Sequence, residues 1–238
     1  MSEFPTGLDR VALERIVAAG RQVLECESVL NKTGDNVVGA ILRDQGTFYE
    51  WNHFPEGDVY DGESHSQYFY HSHAQGQRTN EHGHFHTFLR PKGMPSGIRP
   101  APVKNFMVPK DDSEALGHII GISMDKFGKI IRLFTANRWV TGETWYVADD
   151  VIRMLDNFII GHTRPSWATN RWVSGMVQLF RPQIVALVAE RDASVSAWEA
   201  EHEPDNDVYE DRRLEITSER DVSVEDQLAA AERALASK

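Results

Sequence analysis

The chain has a single cysteine, Cys26, among its 238 residues. That rules out an internal disulfide and fits a reducing, cytoplasmic setting. No apolar run reaches the roughly 18 residues that a membrane-spanning helix needs, so a soluble protein with no membrane partner is expected. The first residues, Met1 to Gly7, lack a basic segment followed by an apolar one, and no secretory leader is expected. Positive charge is also scarce. Residues 190–238 carry 15 acidic and 6 basic side chains, which leaves the first 189 residues near −2 of the total −11. A nucleic-acid binder needs a basic face to neutralise phosphates, and this balance excludes that class. Walker, Gly-x-Gly-x-x-Gly, His-Glu-x-x-His, Gly-x-Ser-x-Gly and Cys-x-x-Cys motifs are all missing, which removes the common nucleotide, zincin, hydrolase and zinc-ribbon readings.

The pattern that remains predicts an α+β fold: an antiparallel β-sheet or small barrel, covered by an N-terminal helix and C-terminal helices. Apolar residues from Leu8 to Leu30 recur at helical spacing and predict an amphipathic helix lying on the sheet. Extended texture follows in Thr47 to Phe54, Gln67 to His73, His84 to Leu89, Gly117 to Met124 and Ile130 to Val140. Turn-forming residues punctuate it at Pro55 to Gly62, Ala74 to Gly83 and Pro91 to Pro109. Helical spacing returns at Val151 to Ile159 and from Trp172 past Pro182 to Val188, where Pro182 either opens a helix or kinks one. Length and composition predict one domain over residues 1–202. An acidic, mobile C-terminal tail is expected over 203–238, with a short helix from Val224 to Ala236 capped by Ser223. Asn137 to Gly142 echoes Asn170 to Gly175, but two copies do not make a repeat architecture.

Six of the ten histidines fall between His65 and His86, and their spacing carries the chemistry. His71 and His73 form one His-x-His pair, and His84 and His86 form another. Residues two apart on a strand share a face, so each pair presents two imidazoles to one side. If the ten-residue connection returns the chain antiparallel, opposed residues lie about 4.5 to 5.5 Å apart and their rings converge on one ion. The alternative is a row of solvated or merely hydrogen-bonded histidines, but two pairs of matching parity favour metal. His118, at the start of a neighbouring strand, is a candidate fifth ligand. Glu81 could be a ligand, a partner that orients an imidazole, or a plain loop residue, and His82 reads as solvated. Imidazole without thiolate suits one transition-metal ion, iron or zinc foremost, with copper or nickel also fitting.

Two further candidates follow the fifth extended segment. Arg138 could grip a carboxylate or phosphate with its planar fork, and Glu143 could carry a proton. Alternatively the two tie down a strand end. The expected function is a metalloenzyme whose ion activates water or dioxygen, or polarises a small anionic substrate held by Arg138. The competing readings are a non-catalytic metal-binding or ligand-sensing module, and a structural protein with a histidine-lined core. The acidic tail is the expected surface for self-association or a protein partner.

The His-x-His opening resembles in part the cupin metal motif, a His-x-His pair with a following Glu and a later His in a small barrel. Here, however, Glu81 lies eight residues after His73, and the second cluster is another His-x-His. More closely, Tyr70 to His73, Glu81 to His86 and Asn137 to Trp145 resemble the Tyr-His-x-His, Glu-His-Gly-His-Phe-His and Asn-Arg-Trp-Val-Thr-Gly-Glu-Thr-Trp segments of an uncharacterised bacterial family, a domain of unknown function. That resemblance runs from about Trp51 to Arg181 and implies no particular activity.

Overall fold

The computed structural model describes residues 7–74, 78–104, 106–107, 109–111, 114–202 and 207–238. The first six residues, the centre of the connection between the two His-x-His pairs, and residues 203–206, where the tail was expected to begin, lie outside the described residues. Six strands form one open sheet, β1 (Phe54–Tyr60), β2 (Ser66–His71), β3 (Gly83–Leu89), β4 (Gly117–Met124), β5 (Ile130–Ala136) and β6 (Ile216–Asp221), paired antiparallel in chain order. The fold is therefore α+β, and β1 and β6 are free edges instead of closing a barrel.

Period-two alternation gives this sheet two different faces. Tyr68, Tyr70, Phe85, Ile120, Ile122 and Leu133 point into the main hydrophobic core. Helices fill the other half of that core: α1 (Arg10–Asn31), α5 (Trp167–Leu179) and α6 (Arg181–Glu201), with α2 (Val37–Leu42), α3 (Arg138–Thr141) and α4 (Ala148–Met154) between them in sequence. Trp172 of α5 meets the Phe85 ring with centroids 5.7 Å apart, and Tyr68 donates its hydroxyl to Asn170 Oδ1 at 2.6 Å. The opposite face carries Phe69, His71, His84, His86 and Phe134, whose register partners place them side by side. The site thus sits on the sheet face turned away from the helical core.

Several local expectations are met. Pro182 opens α6, and Ser223 caps α7 (Val224–Ala236) by accepting from the Asp226 amide at 3.1 Å. The α1 helix joins the helical layer over the sheet, packed on α5 and α7. Others are corrected. The Pro55 to Gly62 turn is instead strand β1, bulged between Phe54 and Val59, where Gly57 and Asp58 take positive φ of 82° and 62°. An edge strand tolerates Pro and a bulge because one side of its backbone needs no ladder partner. The extended run Ile130 to Val140 stops at Ala136, because the Asn137 side chain caps the one-turn α3 and Gly142, at φ 63°, closes it.

The largest correction concerns the C-terminus, expected as a mobile tail. β6 completes the sheet beside β5, and Thr217 and Ser218 both bond the Thr135 hydroxyl at 2.7 Å. The α7 helix buries Val224, Leu228 and Ala231 against the core, with Leu228 Cδ1 only 2.9 Å from where a Cβ on Gly20 would lie. Acidity misled here because β6 spends its charges laterally: Arg132 pairs with Glu219 and Asp221, each at 3.0 Å. Among the described residues, no single helix is long and apolar enough to cross a membrane.

Candidate metal centre

Strands β2 and β3 pair so that His71 lies directly opposite His84, while His86 opposes Phe69. His73 follows two residues past His71, just beyond the end of β2. Ligand-capable atoms of His71, His73 and His84 all fall within 4.8 Å of one another. Within this trio the Nε2 atoms of His71 and His84 are 2.6 Å apart.

The environment of His84 fixes what that contact means. Its Nδ1 is 2.7 Å from Glu81 Oε1, and both side chains are buried, at 0% and 4% exposed. Burial pushes the Glu81 carboxyl up, but the His84 hydrogen bond and charge, with the Arg78 guanidinium, more than offset it and hold the group at about 2. Glu81 is therefore an anion and acceptor, so His84 donates Nδ1–H to it and keeps a lone pair on Nε2. That lone pair faces His71 Nε2. A proton on His71 Nε2, or a cation between the two nitrogens, satisfies that lone pair.

Burial then keeps the imidazoles neutral. It lowers His84 to about 4 in spite of Glu81, and lowers His71 to about 2 with help from His84 and His73. Neutral imidazole is the metal-ligating form. The residues thus fit a transition-metal ion: three imidazole nitrogens converge, and a carboxylate orients one of them, as is usual for metal-bound histidine.

Of the five histidines expected as ligands, the structure groups these three. His86 and His118 form a second, adjoining pair: His86 Nδ1 lies 3.0 Å from His118 Nε2, and His86 is 4.8 Å ring to ring from His84. Both are fully buried, and burial lowers His118 to about 3. Glu143 closes the row by accepting from the His118 amide at 2.7 Å, with Thr141 donating to its other oxygen at 3.2 Å. Burial raises the Glu143 carboxyl to about 7, against the lowering effect of Arg191.

Arg138 stands elsewhere. It pairs with Glu210, lies 4.3 Å over the Phe106 ring and reaches the Glu143 main-chain carbonyl at 3.5 Å. The structure does not bring it to the trio. Of the three readings of Glu81, the structure favours the partner that orients an imidazole, bonded to His84, while His82 is exposed as expected and meets the Tyr70 hydroxyl at 2.6 Å.

Sequence reasoning missed three residues that shape the site. Arg78 lies 4.7 Å over the Phe134 ring, bonds Glu215 at 2.8 Å and approaches Glu81 at 3.8 Å. Trp51, at φ 70°, tilts its ring onto His73 with centroids 4.3 Å apart. Phe134 walls His84 and His86 at 5.1 and 5.6 Å, and it can do so because Gly121 opposite has no side chain. A Cβ on Gly121 would come within 2.3 Å of that ring. The only sequence signal was a glycine inside an apolar strand, which marks a close approach. On its outer side the trio borders a cavity of about 700 Å³ lined by His73, Arg78, Glu81 and Phe48 among others.

No curated protein and no solved structure gives a significant match to this chain. The model of one family, described as Domain of unknown function (DUF6969), matches residues 17–222, from within α1 through β6, and the chain belongs to that family.

Proposed function

We propose that this protein is a metalloenzyme in which His71, His73 and His84 hold one transition-metal ion, zinc or iron, beside the cavity that His73 lines. Three protein nitrogens leave a coordination position open, as catalytic sites do and closed structural sites do not. When bound, such an ion supplies a Lewis acid that activates water or dioxygen, or polarises a small anionic molecule. Glu81 holds the His84 tautomer. Phe134 and Trp51 restrict the rings of His84 and His73, and Arg78 replaces Arg138 as the cation available to an anionic group in the cavity.

The carrying observation is the Glu81–His84–His71 line: an ionised carboxylate on Nδ1, and two buried Nε2 atoms facing each other at 2.6 Å. Elemental analysis of untagged protein is the test. Close to one equivalent of transition metal per chain is expected, and His71→Ala with His84→Ala should remove it while the circular-dichroism spectrum is retained, because the helical core lies on the other face. Wild-type protein that carries no metal and takes up neither zinc nor iron on titration refutes the reading.

A further inference from the structure

The cavity beside His73 is polar at its inner end and aromatic at its outer end. Inside, the Arg78 side chain is only 14% exposed and its guanidinium lies 4.7 Å over the Phe134 ring, with Glu215 and Glu81 as its partners. Its five N–H groups exceed what one 2.8 Å bond to Glu215 and a 3.8 Å approach to Glu81 can satisfy. Of the wall carboxylates, Glu81 bonds His84 and Asp125 accepts the Phe127 and Lys129 amides of its own turn at 2.8 and 2.9 Å, while Glu50 stands in the same wall as the cation Lys126.

The outer end is unusual for a protein surface. Phe48 lines it half-buried, its ring stacked 4.9 Å from Phe54 and 5.7 Å from His82, and Phe127 projects from the β4–β5 turn at 68% exposure. Single exposed apolar side chains need no explanation, but aromatics gathered at one cavity mouth mark a ligand-binding surface.

We infer that this cavity binds an aromatic carboxylate, its ring against Phe48 and Phe127 and its carboxylate directed inward to Arg78 and the histidine trio. A flat ring packs against aromatic side chains, and the planar fork of arginine matches a carboxylate in two-pronged fashion. A bare inorganic anion leaves the aromatic mouth unused, and a neutral aromatic leaves the Arg78 donors unmatched. The assignment rests on the metal reading above only for the inner end of the ligand.

The test uses untagged full-length protein of measured metal content, titrated calorimetrically at pH 7 with three probes: benzoate, the neutral benzamide and the ringless acetate. Benzoate should bind at least about tenfold more tightly than either control, since each control loses one of the two recognition elements. Phe127→Ala, a change at an exposed turn, should erase most of the preference for benzoate over acetate. Arg78→Gln should erase the preference for benzoate over benzamide. Benzoate binding no tighter than both controls, or a preference over acetate untouched by Phe127→Ala, overturns the inference. The two proposals fail separately. Stoichiometric metal without discrimination among the probes removes the ligand assignment alone, whereas discrimination by protein with no metal supports the ligand assignment and removes the metal.

Discussion

Glu81→Gln isolates the feature on which the metal centre depends. Glutamine keeps the length of the side chain and an oxygen that can accept from His84 Nδ1–H, but it removes the negative charge. The bond at stake is 2.7 Å long, between side chains 0% and 4% exposed, so solvent does not screen it. A hydrogen bond to a charged group contributes about 1.5–3 kcal/mol and a neutral one about 0.5–1.5 kcal/mol, so the substitution should cost about 1–2 kcal/mol. Expressed as metal affinity this is roughly a five- to thirtyfold loss, in line with the ~10–100-fold effect of removing the carboxylate partner of a ligating histidine.

Linkage gives an independent check without metal. The folded Glu81 carboxyl is held at about 2, below its ordinary 4.5. A group depressed in the folded state stabilises the protein above its unfolded pKa, and that contribution is lost as pH falls through the folded value. Wild type should therefore exceed Glu81→Gln in stability at pH 7, by an amount on the order of 3 kcal/mol or less, and the gap should close between about pH 4.5 and pH 2. Chelator-competition titration with zinc at pH 7 and urea unfolding at pH 7 and pH 3 measure the two effects. A variant within twofold of wild type in zinc affinity, and equally stable at both pH values, would show that the Glu81–His84 bond orients nothing.

Gly121→Ala places a Cβ against the Phe134 ring and should cost about 1–3 kcal/mol by overpacking. Adding Phe134→Ala should recover part of that loss in thermal melts, and additive losses would show that the ring is not displaced. Leu228→Ala should lower stability by about 2–3 kcal/mol, and a chain ending at residue 202 should fail to give a cooperative melt; both would be near-silent if the C-terminus were a mobile tail. Glu143→Gln should be increasingly more stable than wild type as pH rises from 4.5 towards 7, because a carboxyl raised to about 7 by burial makes the folded state hold a proton that the unfolded chain releases. Urea unfolding at pH 5 and pH 7 measures this, and a constant difference would refute it.

The trio was legible in sequence because its geometry is a consequence of strand parity, which a sequence displays directly. Parity does not report how far along a strand a residue sits from its partner. His86 shares the face of His84 yet opposes Phe69, and its nitrogen meets His118 instead of the trio. Arg138 and Glu143 were read as neighbours from their spacing, but α3 is a turn of helix, and it sends Arg138 to Glu210 while the Glu143 carboxylate turns to His118. β6 was hidden for a different reason. Its buried residues include Thr217 and Ser218, which are held by hydroxyl bonds to Thr135 and not by apolar contact, so hydrophobic alternation had nothing to detect.

The same parity explains why one short hairpin can carry both a core and a site. A one-residue slip between β2 and β3 would turn Tyr68 and Tyr70 outward and drive His71 into the helical core. Two features of the core face resist that slip. On the core side, Tyr70 and Phe85 pack edge to face at 4.9 Å, and the Tyr70 hydroxyl holds His82 at the entry to β3. At the same end of the ladder Gly83 has no room for a side chain, since a Cβ there would lie 2.5 Å from both the His71 carbonyl oxygen and the Tyr70 hydroxyl. Gly83 therefore lets the strands close to the distance at which His71 and His84 face each other, and the aromatic core behind it sets the register. The metal face inherits its precision from the apolar face, so substitutions at Tyr70 or Gly83, which carry no metal ligand, should disturb metal affinity as surely as the loss of Glu81.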